Sequence, residues 1–451
     1  MDLIRNLFKG DPYIWGIFLT LCIISIVESF SATSFLAFRS AEHYGPAMSH
    51  FTHLLFGTVI VLITLNFPPH VFRKIAGASY IFTVILLFAV LFTPKVNDAS
   101  RYIFGFQPSE FAKFSLLSVV CGLLAQGQTK DGITKAAFQK ILIFSGIVCV
   151  LIVSENFSTA ALIGGVVFLL MFIGRVQLKR IFSIIGLTIA AGALFMTLLF
   201  ALPDSMLIWR MPTWKQRIAR STDDTPKVEQ GINDKNMQVQ YGHMAVANGG
   251  VVGKGLGQSQ MRDFLPLAFS DFIFAIILEE GGLVLGFIVV FLYLFLLIRA
   301  AMIFLRCENI FQAFFLLGLS MIITFQAITN MAVGVDLIPV TGQPLPLLSR
   351  GGSSILMTSV YFGIIQSISR CVMENEEIKQ LQIKNVEDGL GYFDESGTYI
   401  EYDIVDTETG EIINYNPDLE EIDNQDYDSN IEEESVKEFD ETEKDEEIYR
   451  Y

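Results

Sequence analysis

Three polar stretches interrupt a chain that is otherwise strongly apolar, and each holds residues able to move a proton or bind an anion. In Ser270-Asp271-Phe272-Ile273-Phe274, an acid stands at the mouth of a long apolar run, with Glu279 and Glu280 about two helical turns further in. Asp271 or Ser270 can cap the helix by accepting from its orphan amides. Alternatively, Asp271 is a carboxylate at the membrane–water boundary, placed to take a proton from a hydroxyl. In the stretch from Arg101 to Lys113, Gln107-Pro108-Ser109-Glu110 opens another apolar run. Pro108 suits an early helical position, and Ser109 and Glu110 suit the first turn. Glu110 and Lys113 are three residues apart, so they share a face and can pair. A lysine one turn into a membrane beside an outward-facing Arg101 also suits a departing diphosphate.

The third stretch, residues 330–354, carries Pro339, Pro344, Pro346 and the run Arg350-Gly351-Gly352-Ser353-Ser354 between two apolar segments. Prolines and glycines at this density forbid a simple helix. Irregular backbone at membrane depth persists only where protein buries it or where it lines a wet cavity. Arg350 there can meet a phosphate or simply brace the loop.

Other signals are plainer. Gly249, Gly250, Gly253, Gly255 and Gly257 permit either flexibility or close approach to a ligand. No Gly-Lys-Ser/Thr follows, so a nucleotide-binding loop is unsupported. His50 and His53 can share a helix face without a third metal ligand nearby, and no ligand set requires a metal. The five cysteines lie in apolar segments or at their ends and suggest no disulfide framework. Nucleic-acid signatures are absent.

The elements that position these residues are membrane spans. Apolar residues make up 52% of the chain, with 39 phenylalanines. Ten runs approach bilayer length, near 13–36, 52–67, 76–93, 110–126, 138–154, 158–175, 181–202, 271–298, 309–333 and 353–371. The expected fold is therefore all-α and polytopic. A 68-residue loop, 203–270, separates the seventh and eighth runs. In it Trp209, Trp214 and neighbouring bases read as interfacial anchors, and Met237, Tyr241 and Met244 recur at the spacing of a short amphipathic helix.

Lys and Arg in the short loops, including Arg73, Lys135, Arg180, Arg299 and Arg370, outnumber those on the opposite side, Arg39, Lys95, Arg101 and Arg350. This bias puts both termini in the cytoplasm. The net charge of −16 is segregated: residues 373–451 hold 28 acids and 5 bases, whereas the first 372 hold 19 acids and 26 bases. The expected organisation is a ten-span domain, 1–372, and a disordered acidic cytoplasmic tail, 373–451.

Asn330, Pro339, Thr341-Gly342, Pro344, Pro346, Ser349 and Gly351-Gly352-Ser353-Ser354 closely resemble the signature loop of the FtsW/RodA (SEDS) family of peptidoglycan glycosyltransferases. Asp271-Phe272-Ile273-Phe274 with Glu279-Glu280, and Gln107-Pro108-Ser109-Glu110 with Lys113 and upstream Arg101, match further motifs of that family. The resemblance spans roughly residues 10–371. Three departures stand out: Ser154-Glu155-Asn156 where many members have Gln-Pro-Asp, Arg350 where an aromatic is usual, and Asp336 where small residues are common. Trp214-Lys215-Gln216-Arg217 and Lys9-Gly10-Asp11 look more like the cell-division FtsW branch than the elongation RodA branch.

The resemblance implies polymerisation of lipid II into β-1,4 glycan strands in the bacterial inner membrane at the division septum. Asp271 would be the general base, and Arg101, Lys113 and Arg350 would stabilise the undecaprenyl diphosphate leaving group. Ser109, Glu110, Glu279, Glu280, Ser353 and Ser354 would contribute to substrate binding, and a divalent cation (Mg²⁺ or Mn²⁺) could share the diphosphate charge. Implied partners are a class B penicillin-binding transpeptidase, other divisome membrane proteins and membrane lipid. Two other classes stay open. A lipid-linked oligosaccharide flippase would show inverted repeats and a midplane polar site; a recruitment scaffold would leave Asp271 and Lys113 without a role.

Overall fold

A computed structural model describes residues 8–32, 45–92, 106–130, 132–153, 156–201, 211, 215, 237–265, 269–387, 391–393 and 398–401. Its helices are α1 (Pro12–Ala32), α2 (Gly45–Asn66), α3 (His70–Val90), α4 (Pro108–Gly127), α5 (Lys135–Val153), α6 (Phe157–Ile173), α7 (Leu178–Ala201), α8 (Met237–Gly249), α9 (Ile273–Arg306), α10 (Ile310–Gly334) and α11 (Gly352–Glu387). Two-residue strands β1 (Gln128–Thr129) and β2 (Gly132–Ile133) make a tight turn after α4. Among the described residues nine helices are long and apolar enough to cross a membrane. α6, with 17 residues, lies at the short end of that range. These ten correspond one to one with the ten apolar runs of the sequence.

The boundaries follow local chemistry. Pro108 takes the first position of α4 after an extended Gln107, where its missing N–H costs nothing. Asn156 and Asn309 cap α6 and α10 by accepting from Thr159 N at 3.2 Å and Gln312 N at 3.3 Å. α10 ends in a left-handed residue, Asp336 at φ 56°. Asp336 N donates to Val333 O and Leu337 N to Ala332 O, at 3.0 and 2.8 Å, closing the last turn as a Schellman motif. This explains the unusual aspartate: the position favours glycine, but Asp tolerates it, and its carboxylate reaches His243 on α8 at 3.0 Å.

α10 is the axis of the bundle. Within its most apolar window 83% is buried, against 6% for α7. At the end of the bundle where α1 begins, Asp11 caps α1 through Tyr13 N and Ile14 N and pairs with Arg299 of α9 at 2.7 Å. Its backbone exchanges two bonds with Gln366 of α11. One aspartate thus ties three helices.

α9 is not one continuous helix. Gly282 sits at φ 66°, ψ −169°, a backbone conformation that disfavours any side chain. The groups freed by the break are satisfied by the glycine-rich segment that follows α8. Lys254 N donates to Glu279 O and Gly255 N to Glu280 O, at 3.0 and 2.9 Å. Leu283 N and Val284 N donate to Gly250 O and Val251 O, at 3.1 and 3.3 Å. A Cβ on Gly249 would overlap the Leu278 carbonyl, one on Gly253 the Glu280 carbonyl, and one on Gly282 the Gly253 amide. These three glycines are there for close backbone approach.

α8 forms where the sequence predicts a helix, but its packed face differs. Gly242, Ala245 and Gly249 are buried, whereas Met244 is exposed. Small residues win because α8 lies directly on α9, with Phe272 against Gly242.

The chain divides into two units, Met1–Glu374 and Asn375–Tyr451. Within the stretch expected to be disordered, α11 continues to Glu387 through strong helix formers, and β3 (Gly391–Phe393) pairs antiparallel with β4 (Tyr399–Glu401). The rest of that expectation falls on residues 388–390, 394–397 and 402–451, outside the described residues.

Gly249→Ala should lower the thermal midpoint of the detergent-solubilised protein by several degrees, through about 1–3 kcal/mol of overpacking. Gly165→Ala, which faces open space in α6, should leave it unchanged or raised.

Candidate active site

Asp271 lies in the turn just before α9 and is half-buried. The helix cap is Phe272, which makes no side-chain cap bond, so neither Ser270 nor Asp271 occupies the capping position. Ser270 Oγ donates to Asp271 Oδ1 at 3.2 Å. Asn330 of α10 pins this turn, its Nδ2 donating to Asp271 O at 3.3 Å and to Gln343 O at 2.8 Å. The turn is held from the other side by the proline-rich loop. Ser349 Oγ donates to Ser270 O at 2.7 Å and accepts from Leu345 N at 2.7 Å, and Arg350 N donates to Phe269 O at 2.8 Å.

One turn along α10 from Asn330, Gln326 does the same for the second motif. Lys113 Nζ donates to Glu110 Oε1 at 2.7 Å and to Gln326 Oε1 at 2.6 Å, and Gln326 Nε2 donates to Pro344 O at 2.9 Å. Lys113 is 0% exposed and Glu110 2%. The pair expected from the three-residue spacing therefore forms, deep in protein. Tyr361 of α11 donates to Glu110 O at 2.7 Å. Gln343 Nε2 donates to Thr159 of α6, and Tyr293 of α9 donates to Pro346 O.

Glu279 and Glu280 are also fully buried, but they serve the break in α9. Glu279 accepts from Ser259 Oγ, from Gln260 N and Met261 N at 3.3 and 3.2 Å, and from Asn248 Nδ2 at 3.2 Å, with Lys254 Nζ at 3.5 Å. Glu280 accepts from Gly257 N at 2.8 Å, Ser259 N at 3.2 Å and Ser31 Oγ, with Arg262 Nη1 at 3.9 Å. Two acids that would be costly in lipid are thus held by backbone amides and two cations.

Ser109 accepts from Gln107 Nε2 at 3.0 Å. Ser353 and Ser354 occupy the first turn of α11, whose amides have no intrahelical acceptor. The Arg350 guanidinium lies 5.5 Å over the Phe269 ring. Partial burial lowers its pKa from the usual value by penalising the charged form. Arg101, Trp209, Trp214 and Glu155 lie outside the described residues. Among the described residues no group of three or more His, Cys, Asp or Glu is arranged to hold a metal ion. Gln326, Gln343, Thr159, Tyr293 and Tyr361 escaped the sequence reading. Polarity inside apolar runs marks all but Gln343, which lies in the proline-rich loop.

A family model for cell cycle proteins, FtsW/RodA/SpoVE, matches residues 12–374. The chain belongs to this family. The "Probable peptidoglycan glycosyltransferase FtsW" of Geobacter sulfurreducens is 27% identical over 378 residues, covering 81% of this chain and 96% of the relative. The peptidoglycan glycosyltransferase MrdB of Escherichia coli K12 is 28% identical over 367 residues, covering 79% and 93%. Among solved structures, a chain of a peptidoglycan synthase complex superposes with TM-score 0.64 at 21% identity, over 80% of this chain and 98% of that one. The rod shape determining protein RodA of Thermus thermophilus superposes with TM-score 0.54 at 20% identity, over 81% and 98%. This FtsW/RodA protein is a multi-span membrane protein, and at these identities the solved structures bear on its fold alone.

Glu110→Gln or Lys113→Met alone should destabilise the protein by about 3–5 kcal/mol, because each strands a buried charge or its partner. The double variant should recover much of that loss. Thermal unfolding of the three purified variants checks this; an additive double variant would mean that the pair is not coupled.

Proposed function

We propose that the protein is a peptidoglycan glycosyltransferase that polymerises lipid II, with Asp271 as its general base. The sugar 4-hydroxyl of an incoming lipid II attacks the anomeric carbon of the growing strand. Asp271 accepts the hydroxyl proton, the new oxygen–carbon bond forms, and the bond to the polyprenyl diphosphate breaks. A single displacement of this kind turns an α-linked donor into a β-1,4 product.

The observation that carries this reading is the state of Asp271. It is a half-buried carboxylate in a turn clamped by Asn330 and Ser349, and it is not spent on capping α9. Pre-positioning of this sort is what a proton acceptor needs. The diphosphate falls to Arg350 and Arg101. Lys113, committed to Glu110 and Gln326, is reassigned to positioning α4 against α10. Glu279 and Glu280 are likewise reassigned to holding the glycine-rich segment after α8. A Mg²⁺ or Mn²⁺ ion entering with the diphosphate would share its charge.

We assign both termini to the cytoplasm from the Lys/Arg bias, and the protein to septal synthesis in the inner membrane, working with a class B penicillin-binding transpeptidase. That partner is the one the resemblance to the FtsW/RodA family implies. Asp271→Asn should reduce glycan polymer made from labelled lipid II by at least about 10²-fold with its thermal midpoint unchanged. Polymer at the parental rate would remove Asp271 from the chemistry.

A further inference from the structure

Leu347 holds φ at 64°, in the left-handed region that side chains rarely adopt. Two other described non-glycine residues do so, Arg175 and Asp336, but each follows the end of a helix, where such a residue is common. Leu347 instead stands in the middle of the tight turn that Ser349 N closes by donating to Leu345 O at 2.8 Å. Its side chain is 1% exposed in the main apolar core, beside Leu345 and Leu348, a burial that glycine would forfeit. Non-glycine backbone in this region persists only where its surroundings over-determine it, and it concentrates at functional sites.

The surroundings here are two clamps on carbonyls. Tyr293 of α9 donates to Pro346 O, and Ser25 Oγ of α1 donates to Leu347 O at 2.7 Å. Ser25 Oγ also lies 2.7 Å from His50 Nε2 of α2. The hydroxyl has one hydrogen and a carbonyl can only accept, so the His50 ring is the donor in that second contact. A helical serine otherwise turns its hydroxyl back to a carbonyl of its own helix three or four residues earlier. The N–H of His50 occupies an oxygen lone pair and leaves the hydroxyl hydrogen for Leu347. Both residues are fully buried, so neither contact is open to water. Among the described residues His50 Nδ1 has no hydrogen-bond partner, which leaves Ser25 as the ring's one bonded neighbour.

The turn so held is the one that fixes the backbone before Asp271. Ser349 Oγ donates to Ser270 O and Arg350 N to Phe269 O, the two residues that precede the carboxylate. We propose that His50 is a positioning residue for glycosyl transfer: it orients the Ser25 hydroxyl onto Leu347 O, and the turn from Leu345 to Ser349 thereby keeps Asp271 in its working position. The inference rests on the glycosyltransferase reading above, because it is the proton acceptor of that reaction that the turn serves. In this way α2, by way of α1, bears on a carboxylate carried just before α9.

The test uses the full chain in detergent and three variants, Ser25→Ala, His50→Phe and His50→Gln. For each, kcat and KM with labelled lipid II, thermal midpoint, and hydrogen exchange at the Ser349 and Arg350 amides are measured. Ser25→Ala and His50→Phe should lower kcat at least about tenfold with KM little changed, the signature of lost positioning rather than lost binding. Exchange at the two amides should rise about tenfold in both. His50→Gln, whose amide N–H can reach Ser25, should keep the geometry and a kcat within about threefold of the parent. Ser25→Ala is the smaller change and carries the test should His50→Phe not fold. A lower thermal midpoint with parental kcat would overturn the proposal, leaving a bond that serves stability alone. So would a His50→Gln protein as slow as His50→Phe. Both results leave the role of Asp271 standing. Should the parent make no polymer, the glycosyltransferase reading falls and this role of His50 with it, whereas unchanged exchange in an active Ser25→Ala protein refutes the clamp by itself.

Discussion

Backbone that stops being helical inside a membrane must find its hydrogen bonds within the protein, because lipid offers none. That constraint shapes every feature of this molecule that bears on chemistry. The chain leaves helical geometry twice near the proposed active site, at Gly282 and between Asp336 and Gly351. Each departure is closed by a dedicated set of partners. At Gly282 the glycine-rich segment after α8 donates to and accepts from the severed helix, while two buried glutamates collect amides of that segment and of the residues that follow it. At the proline-rich loop, Gln326 and Asn330 of α10 take the carbonyls of Pro344 and Gln343.

These repairs also do the positioning. Gln326 and Asn330 are four residues apart on the most buried helix, so they share a face. Gln326 joins the proline-rich loop to the Glu110–Lys113 pair, and Asn330 joins it to the Asp271 turn. A buried polar ladder therefore fixes α4, the loop and the carboxylate relative to one another. A networked polar core of this kind is costly when broken and specific when complete. The same logic separates acids by role. Glu110, Glu279 and Glu280 each serve internal partners, whereas Asp271 lies in a turn at the helix mouth and is only half-buried.

Much of this was legible in the sequence, and the limits are physical. Ten apolar runs map onto ten helices because bilayer thickness sets both their length and their composition. The i,i+3 pair of Glu110 and Lys113 was readable because helical geometry alone brings it together. The contact of Gln343 with Thr159 joins residues 184 apart, and no local pattern encodes it. In the sequence Gly249 and Gly253 are equally consistent with flexibility; only their carbonyl neighbours on α9 show the close approach. Met244 misled for a similar reason: α8 packs through glycine and alanine onto another helix, so the apolar residues of its pattern did not define the buried face. His50 and His53 read as an ordinary pair at a helix start, and in the structure both line a cavity together with Arg350.

On the proposed mechanism the α10 ladder holds Asp271 in its working position. Asn330→Ala tests it most directly, since it removes both bonds and leaves the Gln343 carbonyl buried without a donor, at a cost of about 1–3 kcal/mol. Polymerisation of labelled lipid II should be measured for this variant together with lipid II affinity and thermal midpoint. The variant should fold, bind lipid II normally and polymerise it at least about tenfold more slowly. Parental polymerisation by a folded Asn330→Ala protein would contradict it.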